Sequence, residues 1–245
     1  MLRRGEVRVN KGRVKQSYRL QKDDVVRIPP VFLGDSDETG KPPTFLIDLI
    51  RSAMLFEDEH IIALNKPSGV VVHSGSGRSF GVIEVLRHLR PEQVHLQLAH
   101  RIDQATSGCL LLSKSSTGLQ IIHQALRNSE MHKQYISLLS GDIGRKTVRI
   151  EAALRKNTVL SGERLVRVDP EGKHAESSFT RSRLYEDSCL VDITIKTGRT
   201  HQIRVHAQHM GHAIAGDLKY GDESFNKELK QAGLKRLFLH ASQLW

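Results

Sequence analysis

Residues 100–112 read His100-Arg101-Ile102-Asp103-Gln104-Ala105-Thr106-Ser107-Gly108-Cys109-Leu110-Leu111-Leu112. The apolar run at the end predicts a buried β-strand, and the small polar residues before it predict a turn. Carboxylates rarely lie at the start of a buried strand unless a partner holds them there. Asp103, if it is held in this way, can act as a nucleophile, a base or a metal ligand.

The rest of the chain carries strand and helix patterns without a regular strand–helix–strand alternation. Strands are expected at 61–64, 109–112, 134–139 and 189–195, and helices at 82–89 and 117–126. A further helix is expected to begin at Gly198-Arg199-Thr200, with Thr200 as its N-cap. The sequence therefore predicts an α+β fold with a mixed, largely antiparallel sheet and flanking helices.

The first 32 residues are expected to form a separate basic segment. Residues 1–30 contain nine Lys or Arg and three Asp or Glu, in a chain whose net charge is +10. Polar and apolar side chains alternate at 6–10, and an apolar run follows at 25–28. Both patterns predict a small β-rich unit with arginines on one face. Such a face suits RNA phosphates, because each bound cation displaces condensed counterions. The expected RNA-binding residues are Arg3, Arg4, Arg8, Lys11, Arg13 and Lys15.

Residues 33–52 are predicted to be a linker, because 34–43 is polar, rich in Gly and Pro, and without apolar side chains. A second body is then expected at 53–245. With 38% hydrophobic and 26% charged residues, the chain has the composition of a soluble globular protein.

The same composition argues against several protein classes. No apolar run approaches the roughly 20 residues of a membrane span, and the N-terminus does not have the pattern of a secretory signal. Two cysteines form neither a disulfide framework nor a metal-ligand pattern. We therefore expect a cytoplasmic protein that does not bind membranes and works as a monomer.

Three elements of the second body carry candidate catalytic side chains: Asp103, Tyr135 behind the basic Lys133, and Arg204 within Gly198–His206. On a helix Arg204 would be held rigidly, as a functional site requires. We interpret Asp103 and Arg204 as a pair in which the guanidinium keeps the carboxylate ionised. Spacing alone allows an ordinary buried ion pair between a strand and a helix, and local sequence alone favours a core position for Tyr135 over a functional one.

Histidines at 201, 206, 209 and 212 suggest a metal site at first sight. The HExxH pattern is absent, however, and Met210-Gly211 should end the helix before His212. We therefore predict no bound metal, while a metal-dependent nuclease that uses these histidines remains an alternative hypothesis.

Taken together, His100–Gly108, Tyr135 and Gly198–His206 resemble, in order and spacing, the core motifs of the RluA-type pseudouridine synthases. The resemblance covers residues 55–245 and extends to Asn65-Lys66-Pro67-Ser68-Gly69 and to the motifs at 211–217, 219–221 and 237–241. Residues 1–32 resemble the second half of the small αL-type RNA-binding domain. Compared with the family, both ends of the chain look shortened, so this domain is expected to be partial and the catalytic domain truncated at its C-terminus.

The resemblance implies a pseudouridine synthase fold and the isomerisation of specific uridines in large-subunit (23S) ribosomal RNA, without a cofactor. Asp103 matches the catalytic aspartate, and Tyr135 matches the tyrosine that stacks on the target uracil and can act as a late base. Arg204 matches the arginine that pairs with the aspartate, and Arg101 the residue that replaces the extruded base. The same motifs contain further expected substrate contacts, namely His100, Thr106, Arg199 and His201.

Two alternatives remain at this point. The stretches at 4–10 and 75–84 favour one of two related branches of the family, and the other branch would give the same chemistry on a different ribosomal or transfer RNA. A non-catalytic RNA-binding or ribosome-assembly factor would need only the basic segment and a positive groove.

Overall fold

The computed structural model describes residues 7–15, 17–27, 40–75, 80–158 and 164–245. The chain divides into two compact units, Met1–Gly40 and Lys41–Trp245. Within these ranges, no helix has the length and hydropathy that crossing a membrane requires.

The first unit contains a small antiparallel sheet of three strands, β1 (Arg8–Val9), β2 (Gly12–Arg13) and β3 (Val26–Arg27), in the order β2-β1-β3. The turn between β1 and β2 uses Asn10 and Lys11, whose φ angles are 48° and 68°, a geometry that Asn tolerates well. Arg8 lies opposite both Arg13 and Arg27. Directly opposed residues of an antiparallel pair share one face, so these three arginines form a row across the sheet.

The second unit mixes helices and strands, which confirms the predicted α+β fold. Its elements are α1 (Thr44–Ser52), β4 (Met54–Glu57), β5 (Ile61–Lys66), α2 (Val82–Leu89), β6 (Gln97–Leu98), β7 (Ser107–Ser113), α3 (Ser116–Arg127), β8 (Lys133–Ser140), β9 (Thr147–Glu151), β10 (Leu154–Thr158), β11 (Arg164–Val168), β12 (Glu176–Leu184), β13 (Ser188–Ile195), α4 (Gln202–His209), α5 (Glu223–Gln231) and β14 (Leu239–Leu244).

A nine-stranded sheet organises this unit, in the order β4-β5-β7-β14-β8-β13-β12-β9 with β6 added to β7. Among the described pairs, only β7 and β14 run parallel. Alternate residues of the strands point into one core, as shown by the complete burial of Leu110, Leu112, Val191 and Ile193. This alternation is the period-2 pattern of a strand with one buried face.

β14 lies between β7 and β8, with Ala241 opposite both Gly108 and Tyr135. Gly108 has φ +111°, and a Cβ at this position would lie 2.2 Å from the carbonyl oxygen of Ala241. Only glycine therefore allows β14 to pair with β7. This pairing brings Tyr135 of β8 to the part of the sheet where the Asp103 loop enters β7.

Helix α1 lies inside the range 33–52 that we predicted as a linker, so the prediction extends too far. Pro43 precedes the helix with φ −55°, a fixed angle that favours helix initiation. Leu46 and Ile50 are buried in the main core, and this amphipathic spacing was hidden by the Gly/Pro tract before it.

Helix α4 begins at Gln202, two residues after the predicted N-cap Thr200. His201 occupies the cap position with a left-handed φ of 54°. The Gln202 side-chain oxygen accepts hydrogen bonds from Arg199 N (3.0 Å) and Thr197 Oγ1 (2.7 Å). The predicted cap is therefore wrong, because the amide of Gln202 stabilises this turn instead of the Thr200 hydroxyl.

Candidate active site

A small cleft of about 70 Å³ forms where the loop before β7, strand β8 and the start of α4 meet. It brings together Asp103, Tyr135 and Arg204, three residues that are far apart in the sequence. The predicted substrate contacts that also line this cleft are Arg101, Thr106, Arg199 and His201. Asp103 is half-buried, whereas Arg101 and Arg199 are exposed.

His100 lies outside the cleft lining, contrary to our prediction. Its Nε2 atom accepts a hydrogen bond from the backbone N–H of Leu111 (3.0 Å). Burial, together with the nearby charge of Lys133, lowers the pKa of His100 to about 4. The neutral imidazole therefore supports the Asp103 loop by fixing it to the adjacent strand β7.

The most buried ion pair of the site joins Arg204 to Asp217. Arg204 Nε donates to Asp217 Oδ2, and Arg204 Nη2 donates to Asp217 Oδ1, both at 2.7 Å. The Asp217 side chain is fully buried, and that of Arg204 is 9% exposed. Asp217 also accepts from the backbone N–H groups of Lys219 (2.9 Å) and Tyr220 (3.0 Å). These extra donors satisfy the carboxylate, as a buried charge requires.

This pair corrects our prediction that Arg204 forms its ion pair with Asp103. Although burial opposes ionisation of Arg204, the hydrogen bonds and charge of Asp217, with a smaller contribution from Asp103, raise the pKa of Arg204. Within the described part of the chain, no hydrogen bond or ion pair occupies the carboxylate of Asp103. Asp103 and Arg204 thus share one cleft, but the turn that carries Asp217 supplies the bidentate partner.

Tyr220 connects this ion pair to His201. The Tyr220 hydroxyl accepts from Val166 N (3.0 Å) and lies 2.8 Å from His201 Nδ1. Burial lowers the pKa of His201, which favours the neutral imidazole ring.

Tyr135 is buried in β8, with 8% of its surface exposed. Burial and the negative charge of Asp103 both raise the pKa of Tyr135. At neutral pH the side chain is therefore a phenol, which can stack on a base or donate a hydrogen bond. The base role that the resemblance implies would require the phenol to lose its proton first.

Lys66 is a positioning residue whose role we did not predict from the sequence. Its side chain is completely buried. Its Nζ donates to the carbonyl oxygens of Pro67 (2.8 Å), Val70 (2.8 Å) and Gln104 (3.1 Å). Burial lowers the pKa of Lys66 to about 8, while the charge of Asp103 acts in the opposite direction. Lys66 therefore fastens the loop beside Asp103 to the end of β5.

The four histidines that suggested a metal site do not form a cluster. His206 uses both ring nitrogens, with Ser177 Oγ at 3.0 Å and Ala152 O at 3.0 Å. His212 Nδ1 lies 2.8 Å from the carbonyl oxygen of Ser140. Over the residues that the structure describes, no group of three His, Cys, Asp or Glu side chains is placed to hold a metal ion.

Arg3 and Arg4, two of the predicted RNA-binding residues, lie outside the described residues. Lys11, Arg13 and Lys15 are exposed in the first unit, and Arg8 is partly exposed. Their assignment to RNA stays a prediction.

Residues 60–209 match the family model of RNA pseudouridylate synthases. This range extends from β5 to the end of α4 and includes Asp103, Tyr135 and Arg204. The chain is a member of the RNA pseudouridylate synthase family. The synthase is therefore an isomerase that converts uridine to pseudouridine in RNA.

Curated relatives agree with this assignment. The synthase is 49% identical to ribosomal large subunit pseudouridine synthase C of Escherichia coli K12, over all of its own length and 77% of that protein. It is 48% identical to the protein of the same name from Pasteurella multocida, over 98% of its own length and 74% of that protein. Synthase C is the branch that the stretches at 4–10 and 75–84 favour, and the similarity confirms the resemblance.

The solved structure of human RNA Pseudouridylate Synthase Domain Containing 4 shares the fold of the synthase. The TM-score is 0.66 at 24% identity, over 82% of the synthase and 86% of the human chain. The human Domain Containing 1 protein gives the same TM-score and identity, over 78% of the synthase and 77% of that chain. These likenesses confirm the pseudouridine synthase fold.

The substitution Lys66→Met should remove a pH dependence from the stability of the synthase. The folded-state pKa of Lys66 is about 8, below its ordinary value of 10.5. Between these values unfolding takes up a proton at Lys66, so its contribution to stability rises with pH, by up to about 1.4 kcal/mol per pH unit. Urea unfolding measures the free energy of unfolding of both proteins. From pH 8 to pH 10, this free energy should rise for the wild type relative to Lys66→Met.

The exposed Lys227 on α5 provides the matched control, because Lys227→Met should follow the pH dependence of the wild type. If the difference in free energy of unfolding between the wild type and Lys66→Met stays constant over this pH range, burial does not lower the pKa of Lys66 as described.

Proposed function

We propose that this synthase isomerises specific uridines in the RNA of the large ribosomal subunit, with Asp103 as the group that initiates the reaction. The observation that carries the proposal is the cleft in which Asp103, Tyr135 and Arg204 meet. The choice of RNA is supported by the names of relatives that are 48–49% identical over 98–100% of the chain. Another ribosomal or transfer RNA is the alternative substrate.

The target uridine must leave the RNA stack before its ring can turn, which costs a few kcal/mol. Arg101 is exposed at the rim of the cleft and is suited to fill the space that the base vacates. Tyr135 forms part of the wall, where its ring can stack on the extruded uracil. These two residues offset part of the cost of extrusion.

Asp103 acts on the ribose in one of two ways. It attacks the anomeric carbon C1′, or it removes the proton on C2′ to give a glycal. In both cases the bond between C1′ and N1 breaks, the uracil turns, and a bond forms between C1′ and C5. In the first route the ester bond between Asp103 and C1′ breaks as the bond between C1′ and C5 forms, and in the second route the proton returns to C2′. The proton on C5 is then lost and N1 gains one, so atoms balance, and no oxidant, reductant or cofactor is needed.

The environment of Asp103 suits this role. A carboxylate held in a bidentate ion pair offers its lone pairs to the guanidinium. Arg204 instead uses two of its donors on Asp217, which leaves the oxygens of Asp103 accessible to the nucleoside.

The arginine row of the first unit supports a polyanionic partner. Arg8 is directly opposite Arg13 and Arg27 across the small sheet, and like charges in this arrangement destabilise a sheet. RNA phosphates relieve this repulsion when they bind. A cytoplasmic location and a monomeric state belong to the same proposal.

Asp103→Asn should abolish the release of tritium from ribosomal RNA labelled at uridine C5, because an amide is a poor nucleophile and a poor base. The affinity for RNA should change by less than about threefold, since the substitution leaves the basic surface intact. The matched control is Asp187→Asn, at an exposed position outside the cleft, which should release tritium at the wild-type rate. Normal turnover by Asp103→Asn would refute the assignment.

Replacing Arg8, Arg13 and Arg27 together by Gln should lower RNA affinity and reduce its salt dependence. Each phosphate contact that is lost reduces the slope of log K against log salt by about 0.7–0.9, so the loss of three contacts should reduce it by about 2–3. Filter binding between 50 and 200 mM salt measures this slope. A slope equal to that of the wild type would show that the row does not contact RNA.

A further inference from the structure

A second cavity of about 520 Å³ shares Arg204 with the catalytic cleft. Gln104 and Ala105, which directly follow Asp103, form another part of its wall. The cavity therefore adjoins the cleft on the side of Arg204 and of the two residues that follow Asp103.

The size of this cavity is suited to a bound ligand. Its volume of about 520 Å³ falls within the range of roughly 300–1,000 Å³ found for small-ligand sites. The buried Arg204–Asp217 pair forms one wall, with its charges mutually neutralised. This wall of the cavity is therefore rigid and already formed before a ligand binds.

The lining combines apolar side chains with exposed cations. Ala105, Leu218, Leu234 and Leu237 are the apolar residues, and the exposed cations are Lys230, Lys235 and Arg236. This combination suits a nucleotide, because the face of a base packs on apolar surface while its phosphate is attracted to cations.

Leu218 stands out in this lining. It is 96% exposed, although Asp217 before it and Tyr220 after it are 2% and 4% exposed. The turn is fixed by the hydrogen bonds of Asp217 to Lys219 N and Tyr220 N. A large apolar side chain is therefore held in solvent by an anchored backbone, and nucleic-acid-binding proteins insert apolar side chains of this type between bases.

We propose that this cavity binds a second unstacked nucleotide of the substrate RNA, adjacent to the target uridine. Leu218 packs against its base, and Lys230 and Lys235 contact its phosphates. The inference rests on the proposed function, since it takes RNA as the substrate. The cavity would then contribute to the choice of uridine, because only a sequence whose neighbouring base can also unstack fills both sites.

The test uses a fragment of large-subunit ribosomal RNA in which the wild type forms pseudouridine. In separate RNAs, an abasic nucleotide replaces the neighbour on the 5′ side or the neighbour on the 3′ side of the target uridine. Affinities are measured for the wild type, for Leu218→Ala and for Leu184→Ala, a matched control at a leucine that is 50% exposed outside the cavity.

At one neighbouring position, the abasic nucleotide should weaken binding to the wild type about tenfold. Leu218→Ala should weaken binding of the intact RNA by a similar factor. The affinity of this variant for the abasic RNA should be little lower than its affinity for the intact RNA, because both changes remove the same contact. Leu184→Ala should behave as the wild type.

A second measurement tests the phosphate contacts. The double variant Lys230→Gln/Lys235→Gln should reduce the slope of log K against log salt by about 1.4, at about 0.7 for each contact to a single strand. Lys227→Gln, on the same helix but outside the cavity lining, should leave the slope unchanged.

The outcomes separate this inference from the proposed function. Suppose that the wild type forms pseudouridine while the losses of affinity caused by Leu218→Ala and by the abasic nucleotide multiply at every position. That result would overturn the second nucleotide site but not the proposed function. An unchanged salt slope in the double lysine variant would do the same for the phosphate contacts. If the wild type forms no pseudouridine in large-subunit ribosomal RNA, both proposals fail.

Discussion

The buried ion pair between Arg204 and Asp217 is the interaction on which the site depends. Removing charges from water costs several kcal/mol for each ion, so such a pair is tolerated only when geometry and further hydrogen bonds compensate. Two 2.7 Å hydrogen bonds from the guanidinium and two backbone N–H donors supply this compensation. The pair fixes α4 to the turn after Asp217, and Tyr220 extends the same network to His201.

The loop that carries Asp103 is held on another side by a different buried cation, Lys66. Lys66 is saturated by three carbonyl oxygens, one of which belongs to Gln104 beside Asp103. Asp103 thus lies in the field of two cations whose hydrogen bonds are directed to other acceptors. This arrangement leaves the oxygens of Asp103 accessible in the cleft, and rigid support of this kind is what the proposed role of Asp103 requires.

Much of the fold follows from local sequence patterns. The apolar run at 109–112 and the helical spacing at 82–89 predicted β7 and α2 because period and burial agree along these segments. Helix α1 was missed because the Gly/Pro tract dominates the signal near Pro43. The N-cap of α4 was misplaced because His201 takes the cap position in a left-handed conformation without a side-chain cap hydrogen bond, whereas local preferences favour a capping hydroxyl such as that of Thr200.

The residues of the cleft were predictable, but their partners were not. Motif order and spacing pointed to Asp103, Tyr135 and Arg204, which line one cleft. Pairing Arg204 with Asp217 depends on the path of the chain between them, which no local periodicity encodes. Lys66 lies in one of the motifs that carry the resemblance, but its burial was not predicted, since lysine is among the residues least often buried and only the structure shows its three acceptors.

The most direct test of this account is a double-mutant cycle on the single-turnover rate of pseudouridine formation, with Arg204→Lys, Asp217→Asn and the double variant, each first shown to be folded by thermal unfolding. If Asp217 acts by positioning Arg204, each single variant should lose at least about a hundredfold in rate, and the double variant should lose no more than the larger single loss. Losses that multiply, or a wild-type rate in Asp217→Asn, would contradict the account.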